Sequence, residues 1–229
     1  MSELLQRTEG WHQDRLGRVT ASRVKAVMMK KETAGRQNLM AELICERLTG
    51  EPTKGFSTPA MEWGTQTEPQ ARDAYSAHVG ELVTESPMVR HPTIEWAGAS
   101  PDGIVGEGLV EIKCPNSNNH MDTLLTEQVP TEYIPQMMWQ MACTGAKWVD
   151  FVSYDPRLPP KLRLFVKRVE RDDKQIEKME SEVRTFLGEL EEKLAKLKEI
   201  SGEQLRQQYA RRAVQERQAR QRQTPRLPW

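Results

Sequence analysis

Cysteine is scarce in this chain of 229 residues, and the three present cannot build a centre. Cys45, Cys114 and Cys143 are odd in number, far apart and without a CxxC, which excludes a disulfide framework and a four-cysteine zinc or iron-sulfur site. All three are expected to be buried, reduced thiols. Histidine is equally thin: His12, His78, His91 and His120 stand singly with no H-x-x-x-H spacing, so neither zinc nor a histidine base has support. The absence of G-x-x-x-x-G-K-[ST] excludes ATP hydrolysis by a P-loop. No run reaches the roughly 18 to 20 apolar residues of a membrane span, and the start MSELLQRTEG has no basic segment leading into an apolar one. A soluble, cytoplasmic protein without membrane contacts is the expectation. Net charge is missing too, since 33 basic residues cancel 33 acidic ones, which excludes a uniformly basic nucleic-acid coat. With no repeat at a fixed period, solenoids drop out as well.

The charge that is present is unevenly placed. Residues 201–229 hold seven arginines against two glutamates, leaving a tail of +5 and a body of −5. The tail is rich in Gln and Arg and poor in large apolar residues, which predicts a helical or disordered arm beyond one packed domain of residues 1–200. Within that domain, Thr20 or Ser22 can cap a helix running to about Met29, and Leu39, Met40, Leu43, Ile44 and Leu48 form a stripe ended by Gly50. A third helix is expected from Pro59 to Gly80, broken near Gly64 or Pro69. Short segments around 82–90, 95–100, 102–105 and 108–114 read as strands joined by tight turns. Helices at about 118–127 and 134–144, strands at 148–154 and 162–170, and a long charged helix from Asp172 follow. The last carries Ile176, Met179, Val183, Phe186, Leu187, Leu190, Leu194 and Leu197 as a narrow seam. The order predicts an α/β or α+β fold with a sheet wrapped by helices.

Chemistry concentrates between Ser100 and Lys113. Strand alternation puts Val110 and Ile112 on one face, Glu111 and Lys113 on the other. If Gly106 and Glu107 are the centre of a type II′ turn, Asp102 falls directly opposite Glu111, where Cβ atoms on one face lie about 4.5 to 5.5 Å apart. Two carboxylates that close repel unless one protonates or a cation sits between them. Hard oxygens with no His or Cys nearby favour Mg²⁺ or Mn²⁺ over zinc, so metal-assisted displacement at a phosphodiester is the chemistry to test. The plain alternative is an exposed antiparallel sheet showing Glu and Lys to water. Similar alternatives attend other residues: Arg15 as a surface charge, Ser22 as a helix cap, Glu68 as a cap before Pro69, and Gln136 with Gln140 as a solvated face.

The block Ser100-Pro101-Asp102-Gly103 followed by Val110-Glu111-Ile112-Lys113-Cys114-Pro115 resembles the PD-(D/E)XK nuclease signature. Its form is similar to that of the phage lambda exonuclease, or YqaJ-like viral recombinase, family. Trp11 to Ser22, Trp63-Gly64-Thr65-Gln66-Thr67-Glu68, Tyr133-Ile134-Pro135-Gln136, Tyr154-Asp155-Pro156-Arg157 and Val169-Glu170-Arg171-Asp172 resemble further family motifs in the same order, over about residues 11 to 200. The resemblance implies a restriction-endonuclease-like core, a central mixed β-sheet flanked by helices with a long C-terminal helix. It implies a 5′ to 3′ exonuclease on double-stranded DNA that releases mononucleotides and leaves 3′ overhangs, working with a single-strand annealing protein in phage-type recombination. Asp102, Glu111, the Ile112 backbone carbonyl and Glu68 would hold one or two Mg²⁺ (or Mn²⁺) ions, and Lys113 would orient or activate the attacking water. Arg15, Ser22 and Ser100 would grip the terminal 5′ phosphate or nearby phosphates, and Gln136 would lie beside the scissile one. Met61 stands where the family has an apolar wedge, although a core methionine is the plainer expectation. Asn119 departs from the family pattern, which has an Arg there. A ring of three subunits around DNA is also implied. A PD-(D/E)XK endonuclease, or a non-catalytic module holding DNA or protein through the tail and the seam, are the competing expectations.

Overall fold

The structure, a computed structural model, describes residues 6, 8–53 and 58–223, with side chains as far as 202. It divides into two units, residues 1–187 and 188–229. The first unit opens with α1 (Glu9–Arg15), capped by the Thr8 hydroxyl, which accepts from the Trp11 N–H. Then come β1 (Val19–Thr20), α2 (Ala21–Val27) and α3 (Ala34–Thr49), the last stopped by Gly50 at φ +71. Helix α4 (Pro59–Val79) begins under a Thr58 cap and ends at Gly80, φ +75. Four strands follow, β2 (Val89–Arg90), β3 (Ala97–Ala99), β4 (Gly103–Val105) and β5 (Gly108–Lys113). After them run α5 (Ser117–Thr126), α6 (Ile134–Thr144), β6 (Trp148–Tyr154), β7 (Leu164–Glu170) and α7 (Asp173–Gln223).

The strands form two sheets. The larger is ordered β4-β5-β6-β7, with β5 and β6 parallel and the outer pairs antiparallel; the smaller is β1-β3-β2, with β1 parallel to β3. Alternation along β5 and β6 explains how the larger sheet is covered on both faces. Val110, Ile112, Val152 and Tyr154 point into a cluster with Ala71 and Tyr75 of α4. The alternate residues Phe151 and Ser153 face the other way, toward Tyr133 and His120.

Several expectations fail for local reasons. Helix α4 is unbroken: Pro69 is exposed, so the carbonyl it leaves without a partner, on exposed Thr65, can bond to water, while burial of Ala71 and Tyr75 holds the helix on the sheet. Cys45 is exposed, because the buried stripe of α3 runs through Leu39, Met40, Leu43 and Ile44 and leaves the next residue about 100° round the helix. Cys114 and Cys143 are buried, and burial first of all pushes the Cys114 thiol up to about 12. The seam of α7 is not a free docking face in the first unit, since Ile176, Met179, Val183, Phe186 and Leu187 are buried. In the second unit the helix backbone continues to Gln223; the side chains of the Arg/Gln-rich stretch lie outside the described residues.

Candidate active site

The β4–β5 hairpin sets the centre. Gly103 pairs with Val110 and Val105 with Gly108, the register expected from a turn at Gly106 and Glu107, and Gly106 has φ +53 while Glu107 stays outside the left-handed region. Asp102, one residue before β4, therefore stands opposite Glu111, and its Oδ2 accepts the Ile112 N–H at 2.7 Å. Glu111 is fully buried, which overturns the exposed-sheet alternative. Its Oε1 meets Lys113 Nζ at 2.5 Å and accepts from Gln136 Nε2 at 2.5 Å, while its Oε2 accepts from Gln140 Nε2. Gln140 is buried too, so the solvated glutamine face does not exist. Every other side chain from Met137 to Cys143 is apolar and buried, so a glutamine among them was a usable sign of a buried polar partner.

Burial, and then the charge of Glu111, hold the Asp102 carboxyl well above the usual range; Lys113 and the Ile112 amide pull the other way. For Lys113, burial works against the ammonium, but Glu111 and Asp102 outweigh it and raise its pKa above the ordinary lysine value. Lys113 thus remains a cation. Its Nζ also lies 5.1 Å from the centre of the Tyr133 ring.

A cavity of about 530 Å³ opens over this centre. Residues far apart in the chain meet in its wall: Arg15 and Ser22 from the N-terminal elements, Met61 and Glu68 from α4, Ser100 and Asp102, then Glu111, Ile112, Lys113 and Gln136. All the candidate residues come together. Arg15 donates to Ser100 Oγ at 3.0 Å and Ser22 Oγ at 3.5 Å, and its guanidinium lies 4.2 Å from the Trp11 ring centre. Burial, then Arg23, lower its pKa to about 10, which leaves it charged at neutral pH. Its hydrogen-bond acceptors are hydroxyls, with no carboxylate in ion-pair contact among the described residues. Ser22 is the second residue of α2 rather than its cap, a place taken by Thr20. Glu68 lies inside α4, not at a cap, and pairs with Arg72 at 2.8 Å. Met61 is 60% exposed at the rim, which corrects the core expectation. Trp11, which donates to Ser100 Oγ at 3.1 Å, and Tyr133 were visible only as members of sequence motifs, without a role.

The anchor for Arg15 is a single turn. Gly17, at φ +65, gives its N–H to Glu46 Oε2 at 2.7 Å, and its carbonyl accepts from Arg47 Nε at 2.9 Å. A Cβ there would stand 2.5 Å from Arg47 Cγ. We expect Gly17→Ala to lower stability by about 1–3 kcal/mol, through left-handed backbone strain and displacement of Arg47. Chemical denaturation would measure this, and an unchanged midpoint would contradict the anchoring role.

The donor set suits a hard divalent cation: the half-buried Asp102 and fully buried Glu111 carboxylates and a backbone carbonyl, with no imidazole beside them. As the side chains stand, no three His, Cys, Asp or Glu residues among those described are gathered as a ligand cluster, and Glu68 is paired with Arg72.

The profile of the YqaJ-like viral recombinase domain matches residues 10–147. The chain belongs to the YqaJ-like viral recombinase family. Among solved structures, an alkaline exonuclease from Laribacter hongkongensis is 52% identical, with a TM-score of 0.81 over 86% of this chain and 99% of its own. The same enzyme in complex with dAMP matches at 53% identity over the same shares, also with a TM-score of 0.81. A phage-related exonuclease from Haemophilus somnus 129PT, 16% identical, shares the fold at a TM-score of 0.64 over 79% of this chain and 96% of its own. None of the curated proteins matches. Among the described residues no helix is long and apolar enough to cross a membrane.

Proposed function

We infer that this YqaJ-family protein is a divalent-metal-dependent 5′ to 3′ exonuclease acting on linear double-stranded DNA. It would release 5′-mononucleotides and leave 3′ overhangs for recombination by strand annealing. One observation carries the reading: the paired carboxylates with Lys113 lie in the same cavity as Arg15 and its two hydroxyls. That arrangement offers one place for a reacting phosphodiester and another for a terminal phosphate. The alkaline exonuclease relative and its dAMP complex support the same class of reaction.

Each residue then has a physical task. Arg15 presents a charged, planar donor to the terminal phosphate, helped by Ser22 and Ser100. Lys113 would neutralise phosphoryl oxygens and orient or activate the attacking water. Gln136 and Gln140 fix the Glu111 carboxylate from α6, with Gln136 also reaching the cavity beside the scissile phosphate. Asp102, Glu111, the Ile112 carbonyl and Glu68, once released from Arg72, would hold one or two Mg²⁺ or Mn²⁺ ions. A bound cation of this kind supplies Lewis acidity and lowers the pKa of water. Met61, exposed at the rim, would press on the end of the duplex. We take residues 1–200 as the nuclease domain and 201–229 as its tail, in a cytoplasmic protein that forms a ring of three and works with a single-strand annealing protein.

The test uses linear duplex labelled at a 5′-phosphorylated end, covalently closed circles, and Mg²⁺. Labelled mononucleotide from the linear substrate alone is expected. Cut circles would replace the reading by an endonuclease, and binding without cleavage would reduce it to a DNA-binding module.

A further inference from the structure

A second cavity of about 460 Å³ lies next to the first, and nothing in the proposed reaction uses it. The two share Lys113, Pro115 and Tyr133 as a common wall. The Tyr133 ring is held in that wall by two contacts: Lys113 Nζ lies 5.1 Å from its centre, and Phe151 stacks on it at 5.6 Å with 23° between planes. Beyond the wall the cavity has Val129, Pro130 and Phe151 as apolar surface, with Asn119, Thr123 and Ser153 as neutral hydrogen-bonding groups. Its other charged residues are Asp122 and Glu132, so Lys113 is the only cation lining it among the described residues.

The loop closing this cavity is held under strain. Glu127, which ends α5, has φ +51, the one positive value for a residue other than glycine among those described. Lys167 Nζ ties this bend down by donating to the Glu127 carbonyl at 2.6 Å and to Gln128 Oε1 at 3.3 Å. Backbone strain of this kind persists where surrounding contacts over-determine it, and it gathers at ligand clamps.

We propose that this cavity holds the base of the nucleotide on the 3′ side of the scissile phosphate. The inference rests on the exonuclease reading above. Carboxylates at the rim disfavour a second phosphate, whereas a flat neutral base gains from apolar surface and from amide and hydroxyl partners. Direction follows from the placement of the groups. Arg15, Ser22 and Ser100 line only the first cavity, so a strand with its 5′ phosphate there passes the carboxylates and Lys113 before it reaches the second. Cleavage would then leave the next nucleotide already gripped by its base.

The experiment follows release of the 5′-terminal nucleotide from linear duplexes that are intact, abasic at the first position, or abasic at the second. Thr126→Trp obstructs the cavity from an exposed position at the end of α5, and Val129→Trp does so from the loop should the first variant fold poorly. For the unaltered protein, an abasic second nucleotide should raise KM about tenfold, the scale of one lost base contact, and an abasic first nucleotide much less. The obstructed variant should show the same tenfold rise on intact DNA and no added effect of the abasic residue; comparing the two proteins cancels any change in end melting. Full abasic sensitivity in a folded obstructed variant, or sensitivity at the first nucleotide alone, overturns the subsite while the exonuclease reading stands. Failure of the unaltered protein to release mononucleotide overturns both.

Discussion

Asp102→Asn should abolish cleavage while making the metal-free protein more stable. The loss is expected to be on the order of a thousandfold or more in kcat/KM, as for removal of a group that acts on the transition state. The gain has a separate cause. Asp102 stands half-buried opposite Glu111, and desolvation together with that neighbouring charge destabilises its ionised form. Asparagine keeps an oxygen able to accept the Ile112 N–H, now at 2.7 Å, and removes one of two facing anions. A gain of about 1 kcal/mol would raise Tm by roughly 2–4 °C in a domain of this size. Melting curves in chelator, then with Mg²⁺, separate the two effects. Unaltered protein should gain stability from the ion by mass action and the variant should not. A variant that melts lower in chelator and still responds to Mg²⁺ would show that Asp102 is a structural residue.

Arg15→Ala should erase discrimination between 5′-phosphorylated and 5′-hydroxyl ends. Charge-assisted hydrogen bonds to a phosphate contribute about 1.5–3 kcal/mol, so kcat/KM on phosphorylated ends should fall about tenfold to a hundredfold. On hydroxyl ends it should change little. The ratio is the informative quantity, because general damage to the fold would lower both substrates alike. Two features make Arg15 the strongest candidate for this role. Its hydrogen-bond partners are the hydroxyls of Ser22 and Ser100, and the cation is held in place by the clamped turn at Gly17 and by the Trp11 ring. Equal losses on both kinds of end would remove it from phosphate recognition.

Much of the candidate site is legible in the chain itself because its centre is local. Asp102, Glu111 and Lys113 lie within twelve residues, and the turn residue Gly106 with the two-residue period of strands determines which side chains stand opposite each other. Helix ends at Gly50, Gly80 and Gly145 are similarly legible, since a left-handed position favours glycine whatever surrounds it. The break expected in α4 is not found, because local cost at Pro69 competes with burial on a sheet that neighbouring residues do not reveal.

What sequence by itself determined, then, was the pairing of Asp102 with Glu111, its register and the family to which the chain belongs. Tertiary structure alone decided that Glu111 is buried, because alternation says which residues share a face but not whether water or a helix covers it. Here α6 covers it, and Gln140 changes from a surface residue into the partner of a buried anion. Only tertiary structure, likewise, brings Arg15, Ser22, Met61, Glu68 and Gln136 into one cavity with the hairpin. No period of a helix or strand extends across such separations; they are closed by the packing of whole elements, which depends on every apolar face at once.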